Sequence, residues 1–314
     1  MRAEPTARGR VLVLGLSYFG RLLEAQLASL GWDASYAPHP GRSARSWARL
    51  VPRIANADIL YLISSRAERW APQDIMMLLR RKPVVIHWVG TDASRATDAH
   101  RRGALSTRIA EEATHWCDAP WLVEELRRAG IHSEYAALPI PITTAPPPPL
   151  PADFRVLMYL PADARDRAVF DQDTILALPH AFPDVHFTLL PATASDLGIE
   201  LPPNVDTPGW LPDLDPIYRQ STVLVRQTTH DGMAFTAVEA LARGRYVIWT
   251  YPIPGGIRAS GFESVEAQLR GLIERHRAGN LPPNRSGRTL TLANFSPTRL
   301  TTELDRRLQS LLPR

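Results

Sequence analysis

Cysteine and lysine are each represented once in 314 residues, by Cys117 and Lys82, and each scarcity excludes something. A lone cysteine rules out an internal disulfide and a multi-cysteine zinc site; in the apolar stretch THWC it reads as a small core residue. No apolar run approaches the roughly 20 residues that span a bilayer. The amino-terminal MRAEPTARGR passes straight into an apolar strand without a signal-peptide core, so a cytoplasmic protein is expected. All but one of the 36 basic residues are arginine, a side chain that grips phosphate with two parallel donors, and the bias suits anionic ligands. GC-rich codon usage produces the same composition. With a net charge of +4, attraction to an anionic surface is weak, and no nucleic-acid partner is expected.

A 45% hydrophobic content is that of a globular chain, and 314 residues is about two domains. RVLVLGLSYFGRLLEAQLASLGWDASYAP reads as strand, tight turn, helix, strand; ADILYLI, PVVIHWV and EYAALPI follow as strands, with helical APQDIMMLLRR and WLVEELRRAG between them. This alternation predicts a doubly wound parallel sheet. PITTAPPPPLPADF, with five prolines at positions 146 to 149 and 151, cannot form helix or central strand and reads as a stiff connector or hinge. Beyond it FRVLMYL, VHFTLL, TVLVRQ and YVIWT predict a second α/β domain. In the last stretch Ser296 is placed as a helix N-cap and Pro297 as the first helical residue. The resulting division is residues 1–145, 146–295 and a terminal helix over 296–314.

The most informative segment is VLVRQTTHDGMAFTAVEALARGRYVIWT, residues 223–250, in which Asp231 and Glu239 flank the start of a short helix that Gly244 ends. In a parallel sheet ligands sit at the carboxyl ends of the strands, where the amides of a helix N-terminus hold phosphate. Glu239, one turn into the helix, is placed to accept hydrogen bonds from a ribose diol. The segment resembles the E-x7-E region of retaining GT-B glycosyltransferases, with Asp231, Gly232, Glu239, Ala240, Ala242, Gly244, Val247 and Ile248 in matching places. The resemblance implies two Rossmann-like domains facing a cleft, with the terminal helix crossing back to the first. It implies that Glu239 holds the ribose of a nucleotide-sugar, that Asp231 faces the sugar hydroxyls, that the amides of Phe235, Thr236 and Ala237 cradle the diphosphate, and that Gly232 belongs to the same donor-binding segment. NVDTPGWLPDLDPIYRQSTVLV matches a further family segment at Gly209 and Tyr218, which would bring Trp210 near the nucleobase.

Other parts of the resemblance are incomplete. HWVGTD is similar to the family's H-G-S-D stretch at Gly90, Thr91 and Asp92, but Val89 stands where the family's histidine faces the donor, and His87 lies two residues earlier on the same strand face. His87 and Asp92 are therefore carried forward as catalytic candidates beside Asp231, and the valine leads to the expectation of a deoxy-sugar or pentose donor, or of slow transfer. The family's Gly-Arg pair is missing near Leu160 and Pro161, leaving Arg165 or Arg167, or else Arg226, to meet the diphosphate. Gly15, in LGLSYFG, would help to seat the acceptor or the transferred phosphate.

The reading is thus a metal-independent, retaining transfer from a UDP- or GDP-sugar, a co-substrate rather than a cofactor, to a glycan, lipid or small-molecule hydroxyl. The alternative is a catalytically weak or inactive GT-B-like protein that binds nucleotide or glycan. A nicotinamide oxidoreductase is disfavoured, because Ser17 replaces the second glycine of the dinucleotide fingerprint and Tyr36, Ala37, Pro38 and His39 supply no acid for the adenosine ribose. The Asp-x-Asp pairs Asp171/Asp173 and Asp213/Asp215 are short enough to arise by chance, and no metal is expected. In GRSARSWARLVPR, Arg42, Arg45 and Arg49 recur at helical spacing beside Trp47, Leu50 and Val51, a face suited to solvent or to the inner, anionic surface of a membrane. If this face docks on lipid, the protein should co-sediment with anionic vesicles and release in salt; equal sedimentation with neutral vesicles would exclude electrostatic docking.

Overall fold

Among the described residues the strands form two all-parallel six-stranded sheets, each belonging to its own unit. The structure is a computed structural model that describes residues 8–40, 43–79 and 82–313. One unit takes Met1–Pro139 together with Pro297–Arg314, and the other takes Ile140–Ser296.

In the first unit β1 (Arg10–Gly15), β2 (Asp33–Ala37), β3 (Ile59–Ile63), β4 (Val84–Trp88), β5 (Thr114–Cys117) and β6 (Glu134–Tyr135) lie in the order β2-β1-β3-β4-β5-β6. Every residue of β3 and β4 is buried, as expected of central parallel strands covered on both faces. One face of the sheet packs Val11, Val13, Tyr61 and Trp116 against Leu23 and Leu27, and also against Leu304 and Leu308 of the helix Pro297–Gln309. That helix is held further by Arg307 paired with Glu134 at 2.8 Å and by the Trp32 indole donating to Asp305 at 2.8 Å. Cys117 is buried, donates to Ser133 Oγ at 3.3 Å, and has its thiol pushed up to about 12, first of all by burial.

Gly15 has a local reason to be glycine. Its φ is 138°, and a Cβ there would lie 1.9 Å from the carbonyl oxygen of Ile63, its register partner on β3. The close approach of β3 by itself requires glycine here. The helix Ala44–Asn56 turns Leu50 and Ile54 into the core and leaves Arg45, Arg49 and Val51 exposed, with Trp47 half-buried; Arg42 lies outside the described residues. Among those residues no helix is long and apolar enough to cross a membrane.

In the second unit β7 (Arg155–Leu160), β8 (His186–Pro191), β9 (Val205–Asp206), β10 (Val223–Arg226), β11 (Tyr246–Trp249) and β12 (Ile257–Arg258) lie in the order β12-β11-β10-β7-β8-β9. The chain starts in the middle, works outward to β9 and returns to the other side of β7. This places a topological switch point between the carboxyl ends of β7 and β10.

The proline run departs from its expected role as a hinge. Proline has no N–H to donate, but its carbonyl still accepts, and the run is pinned along the second unit. Arg245, fully buried, donates to the carbonyls of Pro149 at 3.0 Å and Pro148 at 3.2 Å. Arg288 donates to those of Thr144 and Ala145 at 2.7 and 2.8 Å, and the His276 ring meets that of Pro151 at 3.0 Å. Gly244, at φ 70°, ends the preceding helix and admits Pro147, whose Cβ would lie 2.8 Å from an added Cβ. Gly15→Ala should destabilise the protein by about 3 kcal/mol, from overpacking and from a φ that alanine resists. Urea denaturation would measure this, and a wild-type midpoint would show that β1 and β3 have room to separate.

Candidate functional site

At the switch point of the second sheet, Arg226 closes β10 and directs its guanidinium back over the loop that follows. Nε and Nη2 donate to the two carboxylate oxygens of Asp231, at 2.6 and 3.1 Å. The guanidinium carbon lies 4.7 Å from the ring centre of Tyr159, on neighbouring β7, and 4.9 Å from that of Phe170. The loop is tied down on its near side: Thr229 donates its amide to Val169 at 2.8 Å, Thr228 to Thr250 Oγ1 at 3.1 Å, and Phe170 bridges Thr228.

Buried Gly232 then leads to the helix Phe235–Ala242, whose N-cap, Ala234, has no side chain able to cap it. The amides of Ala237 and Val238 turn back onto the Ala234 carbonyl at 3.0 and 3.2 Å, so the Ala237 amide expected to face a diphosphate is already engaged. The Thr236 hydroxyl is buried with no hydrogen-bond partner. Glu239, half-buried one turn further on, accepts from the Tyr218 hydroxyl at 2.8 Å. Arg243 lies over the Tyr218 ring at 4.7 Å and pairs with Asp215 at 2.9 Å. Burial raises the Glu239 carboxyl above the usual range, and the Tyr218 hydrogen bond and the Arg243 charge pull it partly back. Trp210, in the loop before the helix Asp215–Gln220, is 75% exposed.

In the first unit the two catalytic candidates are core groups. His87 is 1% exposed, shares a 2.6 Å hydrogen bond between its Nδ1 and the Tyr61 hydroxyl, and lines a small cavity with Leu300, Leu304 and Arg307. Burial lowers its pKa to about 3. Val89 packs half-buried on the same core. Asp92, also 1% exposed, accepts from the amides of Val89, Ala93 and Ser65 at 3.1, 3.0 and 3.3 Å and so ties the end of β4 to the end of β3. Within the first unit His87 is packed in the core, and Asp92 fastens two strand ends.

No protein-family model matches the chain, and none of the curated proteins is similar to it in sequence. Solved structures do match in fold. Sucrose-phosphate synthase from Thermosynechococcus elongatus superimposes with a TM-score of 0.70 at 14% identity, over 96% of this chain and 99% of that one. The fold is GT-B. CalG4, the calicheamicin glycosyltransferase, gives 0.52 at 15% identity over 97% and 99%. The pneumococcal O-GlcNAc transferase GtfA, whose structure holds UDP and GlcNAc, gives 0.56 at 11% identity over 85% of this chain and 60% of that one.

Within the GT-B frame the second unit gathers Asp231, Gly232, Phe235, Thr236, Ala237, Glu239 and Arg226 around one strand end and one helix. The other cations are placed differently. Arg167 turns back to the carbonyls of Pro161, Ala162 and Asp196, and Arg165 is exposed on the short helix Ala164–Arg167. Asp171 caps the helix Gln172–Ala181, and Asp215 is taken by Arg219 and Arg243. Tyr218, which the sequence places in a matching family segment, completes the site's surroundings with Arg243, Tyr159 and Phe170, three residues that carry no motif of their own in the sequence.

Asp92 gives a pH test. Its carboxyl is raised from 3.8 to about 6 by burial, against the backbone amides that favour the charged form. The folded chain therefore holds the proton more tightly than the unfolded chain, and the stability this provides is complete below the lower value. As pH rises through the upper one it falls by roughly 3 kcal/mol. Asp92→Asn stays neutral, so its stability relative to wild type should improve by that amount between about pH 4 and 7 in urea titrations. A constant difference would mean that Asp92 ionises as it would in water.

Proposed function

We propose that this protein is a glycosyltransferase that moves a sugar from a nucleotide-sugar, UDP- or GDP-linked, to an acceptor hydroxyl with retention of configuration and without a metal. The observation that carries the reading is the second unit's switch point. There the N-terminus of the helix Phe235–Ala242 stands between a carboxylate in the preceding loop, Asp231, and one on the helix, Glu239. Glu239, oriented by Tyr218, accepts from the ribose diol. Amides at the start of the helix, near Phe235 and Thr236, meet the diphosphate, where its charge develops as the bond breaks. Asp231 accepts from a sugar hydroxyl. The bond from the anomeric carbon to the diphosphate breaks, that carbon bonds to the acceptor oxygen, and the acceptor's proton passes to the departing diphosphate. The fold neighbours support the class of reaction, and UDP in the GtfA structure supports a uridine donor.

A second reading, a GT-B protein that binds nucleotide or glycan with little turnover, draws on a specific observation. His87 and Asp92 are core groups, and the cations Arg167 and Arg226 are engaged by carbonyls and by Asp231. A thermal-shift screen of UDP, GDP and their sugars, followed by a hydrolysis assay on those that bind, separates the two: binding with hydrolysis supports the transferase, and binding without it supports the second reading.

Glu239→Ala should weaken the bound nucleoside diphosphate by about 10- to 100-fold, since a charge-assisted hydrogen bond is worth roughly 1.5 to 3 kcal/mol. For wild type the affinity should fall with decreasing pH earlier than an ordinary glutamate would dictate, because the neutral carboxyl no longer accepts from both ribose hydroxyls. Calorimetry measures both, and unchanged affinity in the variant would remove Glu239 from the site. Trp210→Ala should cost about 1 to 3 kcal/mol if the exposed indole stacks on the base.

A further inference from the structure

Arg226 is poorly suited to wait for a phosphate. Two of its donors end on opposite oxygens of Asp231, in the parallel geometry that fixes a carboxylate's direction as well as its distance. Tyr159 and Phe170 cover its plane, and the residue is 8% exposed. In such a low-dielectric setting the adjacent carboxylate largely cancels the charge that a phosphate would need to feel.

The loop explains what the arrangement is for. Backbone contacts to Val169, Phe170 and Thr250 fasten it as far as Thr229. Asp231 lies beyond them, just before Gly232, and is reached by the Arg226 fork and by a longer 3.4 Å contact from the Thr228 hydroxyl. Resting on the donor-site reading above, we infer that Arg226 is a positioning residue: stacked against Tyr159 and Phe170, it fixes the Asp231 carboxylate toward the donor's sugar and leaves the diphosphate to other groups. Lysine cannot substitute, because an ammonium has neither the planar fork nor the flat faces. The rings matter for the same reason. Tyr159 belongs to β7, so the fork is indexed to the sheet itself rather than to the loop it steadies.

The test uses the full chain, wild type beside Arg226→Lys and Tyr159→Leu, with two readouts. Without ligand, amide exchange across residues 228–234 should quicken about tenfold in both variants while the helix Phe235–Ala242 keeps its protection. With UDP, GDP, UDP-glucose and GDP-mannose as probes, calorimetry should find the plain diphosphate within about threefold of wild type. The extra affinity conferred by the sugar should fall at least about fivefold. Equal losses for diphosphate and sugar conjugate would make Arg226 a phosphate ligand and overturn the inference, as would unchanged exchange. If wild type binds none of the four probes, the donor-site reading falls and takes the sugar half of the inference with it, while the exchange data still decide whether Arg226 fixes the loop.

Discussion

A fully buried guanidinium donating to the carbonyls of Pro148 and Pro149 is the contact on which the second unit depends. Taking a cation out of water costs several kcal/mol unless polar partners replace the solvent, and here the replacement is main chain that has no N–H of its own to offer elsewhere. Burial lowers the Arg245 pKa to about 10, with Arg219 and Arg243 adding repulsion. Arg245 also follows Gly244, the residue that ends the helix bearing Glu239. The proline strap, the end of that helix and the start of β11 are therefore one mechanical assembly. The opposite end of the same helix is the candidate diphosphate site.

The same chemistry revises the meaning of the arginine-rich composition. Arginine suits phosphate, but Arg245, Arg288 and Arg167 direct their donors at backbone carbonyls, and Arg226 directs its at a carboxylate. Composition reports what a side chain is able to hold; the partner it meets depends on residues that lie far away in the chain, nearly a hundred positions away in the case of Arg245.

What was legible in the sequence was local. Strand, polar loop, helix and Gly244 could be read from residues 223–250 because each signal lies within a few residues of its effect, and Asp231 fell in the loop and Glu239 on the helix expected of them. The burial of His87 was not legible, for a different reason. A strand's alternation separates two faces, but in a sheet covered on both sides each face is interior, so spacing says nothing about exposure. The stiffness of the proline run was likewise legible, but its attachment was not. Asp231 and Glu239 end in unlike surroundings, one paired with a guanidinium and the other hydrogen-bonded to a phenol with its proton affinity raised. Two such carboxylates are suited to different tasks at the two ends of one ligand.

The first unit is assembled from both ends of the chain, since Leu304 and Leu308 complete a core begun by Val11 and Val13. During synthesis, therefore, the second unit has all its residues out before the first can close. Until the helix Pro297–Gln309 is made, the face carrying Trp116 and Tyr61 lacks its cover, and the nascent first unit is the part that would need shielding from aggregation.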